Sequence, residues 1–229
     1  MRKEIIALLP MKGHSERVPN KNMRLLNGKP LYHWVVNALL NVDKIKEILI
    51  DTDSEMIIDD VNKNFSRDRV IAFRRQDYLL GDFVSMNPII EYDISLSDNQ
   101  YFMQTHATNP LLTSNTIRKA IDFYFDNLSV YDSVFAVNKI QSRLYDYDGK
   151  PINHNPTEML RTQDLLPIYE ENSNFYLFSK ASFADSGKRR IGNKPNMFVV
   201  SKLESVDIDE EDDFLLAESI MLSRKDGAV

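Results

Sequence analysis

Two groups of residues, near opposite ends of the sequence, have types and spacing suited to metal-assisted phosphate chemistry. The first is Leu9-Pro10-Met11-Lys12-Gly13-His14-Ser15-Glu16-Arg17-Val18-Pro19-Asn20-Lys21-Asn22, directly after an apolar run. It brings Lys12, Arg17 and Lys21 together with a glycine, a serine and free backbone amides, a set that can neutralise a triphosphate through point charges and N–H donors. No Gly-Lys-Ser/Thr closes the segment, so it is not a Walker A loop. The second is Asp207-Ile208-Asp209. Read as a strand, residues i and i+2 share a face, and two carboxylates with waters and nucleotide phosphate oxygens suit Mg²⁺. A purely structural reading competes. Glu210, Glu211, Asp212 and Asp213 follow at once, and acids favour a helix N-terminus.

The elements that must position these groups follow from hydrophobic patterning. Glu4–Leu9 is a continuous β-rich apolar run, as in a strand buried on both faces. After the loop, Lys29-Pro30 opens a predicted helix with Leu31, Trp34, Val35, Ala38 and Leu39 on one face, which makes Trp34 a core residue. Strands are predicted at Ile45–Ile50, Arg69–Phe73, Gln100–Thr105, Ser133–Val137 and Asn174–Phe178, with late strand material at Met197–Leu203 and Asp207–Asp209. Helices are predicted at Glu55–Asn62 with Ser54 as N-cap, Pro88–Ser95, Ser114–Asn127 with Ser114 as cap, and Asp212–Leu222. The alternation predicts an α/β fold: a mostly parallel, doubly wound, Rossmann-like sheet with helices on both faces. Ligands of such sheets sit beyond the carboxyl ends of the strands, where the loops after Leu9, Ile50 and Thr105 fall. Ile140–Asn174 carries Pro151, Pro156 and Pro167 among many polar residues and reads as an excursion within one domain spanning residues 1–229.

Composition bounds the possibilities. At 229 residues the chain suggests one large domain or a domain with a subdomain, since domains run roughly 100–200 residues. Its apolar fraction of 43% and charged fraction of 27% allow an ordinary core. The absence of cysteine excludes disulfides, thiol nucleophiles and Cys-ligated metals. A formal charge of −6 argues against a duplex nucleic-acid partner. No apolar run reaches the ~18 residues of a membrane span. The amino-terminal stretch reads as a first strand rather than a signal peptide, so a cytoplasmic protein without membrane partners is expected. Ser15 has no positioned His and acid, which excludes a hydrolase triad. His14 and His154 have no partner at metal-ligand spacing and read as solvated.

The motifs taken in order resemble those of the acylneuraminate cytidylyltransferases, the CMP-sialic acid synthetase family. Ser15 and Lys21-Asn22 match the loop Ala-Arg-x-Gly-Ser-Lys-x-x-x-x-Lys-Asn, with Lys12 where that family has Arg and Glu16 where it has Lys. Asn27-Gly28-Lys29-Pro30-Leu31 resembles its Gly-Lys-Pro-Leu, and Asp51-Thr52-Asp53-Ser54 its Ser-Thr-Asp strand end. Arg75 with Leu79-Leu80-Gly81-Asp82 and Ser85 resembles Arg-Pro-x-x-Leu-Ala-x-Asp, with Gln76 in place of Pro. His106-Ala107-Thr108-Asn109-Pro110-Leu111 resembles Gln-Pro-Thr-Ser-Pro-Leu, with His106 replacing a Gln that helps read the pyrimidine. Arg161-Thr162-Gln163-Asp164 and Glu171-Asn172-Ser173-Asn174-Phe175-Tyr176 resemble its Arg-Gln and Asn-Gly-Ala-x-Tyr segments, and Asp207-Ile208-Asp209-x-x-x-Asp213 its terminal metal motif.

The resemblance implies CMP transfer from CTP to a 2-keto sugar acid of the sialic acid kind, with release of pyrophosphate. Lys12, Arg17 and Lys21 would neutralise the departing phosphates. Asp207 and Asp209 would hold Mg²⁺. Ser15, Asn22, Arg75, Ser85 and His106 would contact the nucleotide. Lys139, Arg143, Arg161, Gln163 and Asn172 would contact the sugar acid, since Arg binds a planar carboxylate bidentately. It further implies that residues 140–174 protrude as a dimerisation subdomain of a homodimer, with Leu144-Tyr145, Tyr147 and Ile168-Tyr169 as apolar surface. Three alternatives stand beside this: a cytidylyltransferase for another ulosonic acid or a phosphonate, a glycosyltransferase using Asp51 and Asp53 as its metal pair, and a non-catalytic nucleotide-binding protein. For Asp51 the helix-capping turn Thr52-Asp53-Ser54 is the favoured reading.

Overall fold

The structure is a computed structural model and describes residues 3–158 and 160–223; Met1 and Arg2 of the amino-terminal stretch lie outside them. Its elements in chain order are β1 (Ile5–Leu8), β2 (Leu25–Leu26), β3 (Lys29–Pro30), α1 (Leu31–Leu40), β4 (Ile45–Thr52), α2 (Glu55–Asn64), β5 (Val70–Arg74), α3 (Met86–Ser95), β6 (Tyr101–Thr105), α4 (Ser114–Asp126), β7 (Ser133–Ile140), β8 (Ile168–Ser179), α5 (Lys180–Asp185), β9 (Pro195–Val199) and α6 (Glu211–Ser223).

The seven-stranded sheet has the order β5-β4-β1-β6-β8-β7-β9. Every neighbouring pair is parallel except those made by β8, which runs antiparallel between β6 and β7. The sheet is therefore mostly parallel, as the alternation predicts. One face packs Ile5, Ala7, Ile48, Ile50 and Met103 against Val35 and Leu39 of α1, Ile57 and Val61 of α2, and Ile117 and Ile121 of α4. The other packs Ile6, Leu8, Leu49, Phe102 and Phe178 against Ile90 and Ile94 of α3 and Phe183 of α5. Because both faces are covered, the central strands are apolar throughout rather than alternating. A third cluster seats Phe214, Ala217 and Met221 of α6 on Leu31 and Trp34 of α1. Trp34 is buried, and its indole N–H donates to the Leu26 carbonyl at 3.0 Å.

Several boundaries differ from the expected ones for local reasons. Lys29-Pro30 is not the first turn of α1; it forms the small β2–β3 ribbon, and Pro30 is the N-cap. Ser54 does cap α2, accepting from the Ile57 amide at 3.4 Å. The cap of α4 is Thr113, one residue before the expected Ser114; its hydroxyl accepts from the Thr116 amide. Asp207–Asp209 is not a strand but an extended loop. Ile208 is its anchor, fully buried, and its amide donates to the Thr108 carbonyl at 2.9 Å.

The excursion is shorter than 140–174, because β8 already begins at Ile168 and pairs Ile168–Glu171 with Val137–Ile140. Residues 141–167 leave the sheet at the edge formed by the carboxyl ends of its parallel strands. They are held by side-chain bonds to backbone more than by a core. Asn153 donates to the carbonyls of Ser142 and Leu166, and Gln141 to those of Gln163 and Leu165.

Candidate active site

The ladder between β1 and β4 continues into the loop: the Leu9 amide donates to Leu49 and the Met11 amide to Asp51. Gly13 then lies against the end of β4, its amide donating to Asp53 Oδ1 at 2.6 Å. A Cβ at Gly13 would stand 2.6 Å from that of Ser54, so the close approach requires glycine. Asn22 closes the loop on itself by donating to the Lys12 carbonyl at 2.8 Å. Ser15 Oγ accepts from the Val18 amide at 3.3 Å, and Val18 is the buried anchor of the segment. The loop thus surrounds a cavity of about 260 Å³ lined by Lys12, His14, Ser15, Lys21, Asn22 and His106, among others. A larger cavity of about 560 Å³ lies at the amino end of β6, between Tyr101, Tyr124 and Tyr131, and none of the loop cations reaches it.

Lys21, which lines this cavity, carries the contact between the cationic loop and the acidic segment. Lys21 Nζ donates to the Ile208 carbonyl at 2.6 Å and lies 3.4 Å from Asp209 Oδ1. Arg17 reaches the same Asp209 oxygen at 3.1 Å. Lys12 pairs with Asp82 at 3.0 Å on the surface. Asp213 closes the start of α6, accepting from the amides of Asp209 and Glu210. Asp207 Oδ1 is buried without a partner. Burial is the main influence raising the Asp207 pKa, the Thr108 hydroxyl opposes it, and the Asp209 charge adds to it. A desolvated, unpartnered carboxylate oxygen beside a second carboxylate has the chemistry of a divalent-cation ligand. Asp207 and Asp209 therefore have donor chemistry that fits Mg²⁺.

His106 follows β6 at the same mouth. Its Nε2 is buried without a partner. Burial, and next the Arg190 charge, push its pKa down to about 4. It is a neutral imidazole at pH 7, able to donate and to accept. Ser85 precedes α3 and is exposed, and its hydroxyl makes no cap bond.

Arg75 lies deeper than a surface contact would. It is 3% exposed and bonds Asp51 Oδ1 at 2.8 Å, the Asp51 carbonyl and the Met11 carbonyl. Asp93 of α3 completes this buried group. Its desolvation, with Asp51 alongside, raises its pKa far above the carboxylate range, so it holds a proton that bonds Asp51. The trio braces the Met11 backbone from beneath. Asp51 and Asp53 are thus both committed to protein groups, which leaves no Asp-x-Asp metal pair after β4.

The excursion residues stand elsewhere. Lys139 is exposed on β7, Arg143 donates to the Leu160 carbonyl, and Arg161 pairs with Asp164 at 2.7 Å. The Gln163 carbonyl accepts from Gln141, while Asn172 is buried and donates to Asn138 Oδ1 at 2.9 Å. None of the five lines the cavity. His14 does line it, and His154 bonds the Tyr145 hydroxyl. Sequence reasoning gave no site role to Asp93, Gln104 or Arg190. Only the polar Gln104 inside an apolar strand signalled its position.

A parallel sheet with a cation-rich loop after its first strand, facing an acidic segment, defines a nucleotide-handling α/β protein. Solved structures agree on the fold. A CMP:2-keto-3-deoxy-manno-octonic acid synthetase in complex with CTP superposes with a TM-score of 0.69 at 10% identity over 96% of this chain and 98% of that one. A 4-diphosphocytidyl-2C-methyl-D-erythritol synthase from Anaerococcus prevotii gives 0.67 at 12% identity over 96% of each chain. The sequence profile of the cytidylyltransferase family matches residues 6–218, and the chain belongs to that family. It is 26% identical over 223 residues to an N-acylneuraminate cytidylyltransferase of Streptococcus agalactiae, covering 92% of this chain and 51% of that protein. It is 25% identical to the post-translational flagellin modification protein B of Campylobacter coli over 95% of both. A pseudaminic acid cytidylyltransferase of Campylobacter jejuni is 26% identical over 188 residues, 75% of this chain and 76% of that protein. The chain spans about half the length of the N-acylneuraminate relatives.

Proposed function

We propose that this chain transfers CMP from CTP to a 2-keto sugar acid of the sialic or pseudaminic kind and releases pyrophosphate in a Mg²⁺-dependent reaction. The observation that carries the proposal is the contact of Lys21 with Ile208 and Asp209, which joins the cationic loop to the acidic segment in one cleft. The anomeric hydroxyl attacks the α-phosphorus as the pyrophosphate oxygen leaves; such transfer depends on positioning and charge neutralisation more than on covalent catalysis.

The chain's own residues supply both. Lys12, Arg17 and Lys21 bind the β- and γ-phosphates. Lys12 and Arg17 sit in exposed ion pairs with Asp82 and Asp209. Exposed pairs of this kind are worth about 0–1 kcal/mol, so the cations turn to phosphate at little cost. That exchange frees Asp209 to join Asp207 as a metal ligand. Asp207 and Asp209 would hold the Mg²⁺, which would supply charge stabilisation at the phosphate oxygens and favour ionisation of the attacking hydroxyl. Asn22 keeps the loop closed, Arg75 holds the Met11 carbonyl that starts it, and His106 offers an uncharged ring edge to the cytosine. Ser85 supplies a free hydroxyl toward the nucleoside. Lys139, Arg143, Arg161, Gln163 and Asn172 serve the acceptor through a homodimer in which the excursion meets a second copy. Exposed Tyr145, Tyr147 and Leu166 support that assembly. Among the described residues no helix is long and apolar enough to cross a membrane, which is consistent with action in the cytoplasm.

The test is pyrophosphate release with CTP, UTP, ATP and GTP against a panel of nonulosonic acids, a 3-deoxy-octulosonic acid and a phosphonate. Release with CTP and one nonulosonic acid is expected. Release from no nucleotide with any acceptor contradicts the proposal.

A further inference from the structure

We propose that Arg190, on the loop between α5 and β9, recognises the carboxylate of the acceptor and makes a free carboxylate a requirement for turnover. The inference rests on the reading of the chain as a sugar-acid cytidylyltransferase and adds to it a residue that neither motif spacing nor composition reveals.

Three observations carry it. The first is position. Gln104 and His106 are two residues apart at the end of β6, and the Arg190 guanidinium accepts Gln104 as its partner by donating Nη1–H to Oε1. His106 feels the positive charges of both Lys21 and Arg190 and the negative charge of Asp209. Lys21 and Asp209 belong to the phosphate and metal side of the cleft, whereas Arg190 enters from over β8. An acceptor must lie beyond the α-phosphorus from the departing phosphates, and a cation reserved for it belongs on that side.

The second is availability. Arg190 stacks on the Tyr176 ring with its guanidinium carbon 4.0 Å from the centroid. Stacking and the Gln104 bond set the guanidinium plane while using one of its donors. Among the described residues no carboxylate pairs with it. Its neighbours contrast: Lys188 pairs with Glu91 at 2.6 Å, and Arg189 Nε donates to the Ser186 carbonyl at 2.7 Å. A half-buried guanidinium oriented by a neutral amide and an aromatic face, with donors left over, suits a planar anion held bidentately.

The third is rigidity. Asp132 accepts from the amides of Asn193 at 2.8 Å and Lys194 at 3.0 Å. The Gly192 amide donates to Ser133 Oγ at 2.8 Å, and a Cβ there would fall 2.2 Å from Asp132. The Ser186 hydroxyl donates to the Arg189 carbonyl and accepts from its amide. The loop is fixed on both sides of Arg190 by bonds that do not involve its side chain, so the guanidinium is pre-organised and its replacement leaves the loop in place.

The experiment compares wild type, Arg190→Gln and Arg190→Lys by pyrophosphate release, using the preferred sugar acid and its methyl ester. In Arg190→Gln, KM for the acid rises about tenfold to a hundredfold, the loss expected for a charge-assisted pair, while KM for CTP is unchanged. Arg190→Lys lies between. Wild type prefers the acid over the ester, and Arg190→Gln loses that preference, a readout that a merely structural role would not move. Retained discrimination in Arg190→Gln, or a parallel rise in KM for CTP, overturns the assignment while leaving the proposed activity standing. A wild-type protein inert toward every sugar acid removes the activity, and the assignment with it.

Discussion

At the residue scale, His106 shows how position converts an ordinary side chain into a specific tool. Sealed at Nε2 and facing Arg190, it stays neutral where a solvated histidine would begin to charge. Linkage then gives a sign. The unfolded chain takes up a proton near the ordinary value of 6.5, while the folded chain resists until about 4, so stability falls as pH drops through that window. Thermal unfolding of wild type and His106→Gln between pH 4 and 7 checks this. The wild-type melting temperature should fall more steeply than that of the variant, whose side chain has no proton to take up.

Residue chemistry was legible in the sequence where it was local. Lys21, Asp207 and Asp209 stand in motifs with recognisable spacing, and the fold brings Lys21 Nζ to 3.4 Å from Asp209 Oδ1. Arg190 and Asp93 were not legible because their roles come from partners distant in the chain. Arg190 meets Gln104 across 86 residues, and Asp93 looks like one polar position on an amphipathic helix until α3 is docked on β4.

At the element scale, the loop after β1 is held by a glycine close approach. In Gly13→Ala the new methyl group meets Ser54, and the amide bond to Asp53 must lengthen. CTP binding measured by titration calorimetry should weaken about tenfold or more, the usual consequence of a displaced phosphate loop, with little change in melting temperature. A second element carries strain. Ser173 has φ of 58° at the irregular register of β7 with β8, and glycine adopts that conformation freely. Ser173→Gly should stabilise the fold by about 0.5–1 kcal/mol in denaturant unfolding.

The strands and helices of the parallel core were legible because each carries its own periodicity. Three features were not. The antiparallel direction of β8 leaves no mark on a strand buried on both faces. Thr113 and Ser114 are both capping residue types, and Thr113 is tied to Glu204, distant in the chain, through its amide and hydroxyl. Asp207–Asp209 has strand-like residues, yet the Ile208 amide bonds a loop carbonyl instead of a neighbouring strand.

At the scale of the whole molecule, the sheet brings a loop near the start of the chain against a segment near its end, so the site exists only when the fold is complete. The excursion leaves from the same edge and exposes Tyr147 at 97% and Leu166 at 77%. Such surface is costly to leave in water. Light scattering should give a dimer for the wild type, and a shift toward monomer in Tyr147→Glu combined with Leu166→Glu. Sugar-acid turnover should fall in step with dissociation if the excursion serves a neighbouring copy.

The central claim is that the cationic loop and the acidic segment grip one metal-bound triphosphate. Asp207→Asn tests it most directly, since the change keeps the shape and removes the charge. Pyrophosphate release from CTP and the preferred sugar acid, measured across Mg²⁺ concentrations, should fall in kcat/KM by about a hundredfold or more, with the far-ultraviolet circular dichroism and melting temperature retained. Turnover at the wild-type rate and with the wild-type Mg²⁺ dependence would contradict the account.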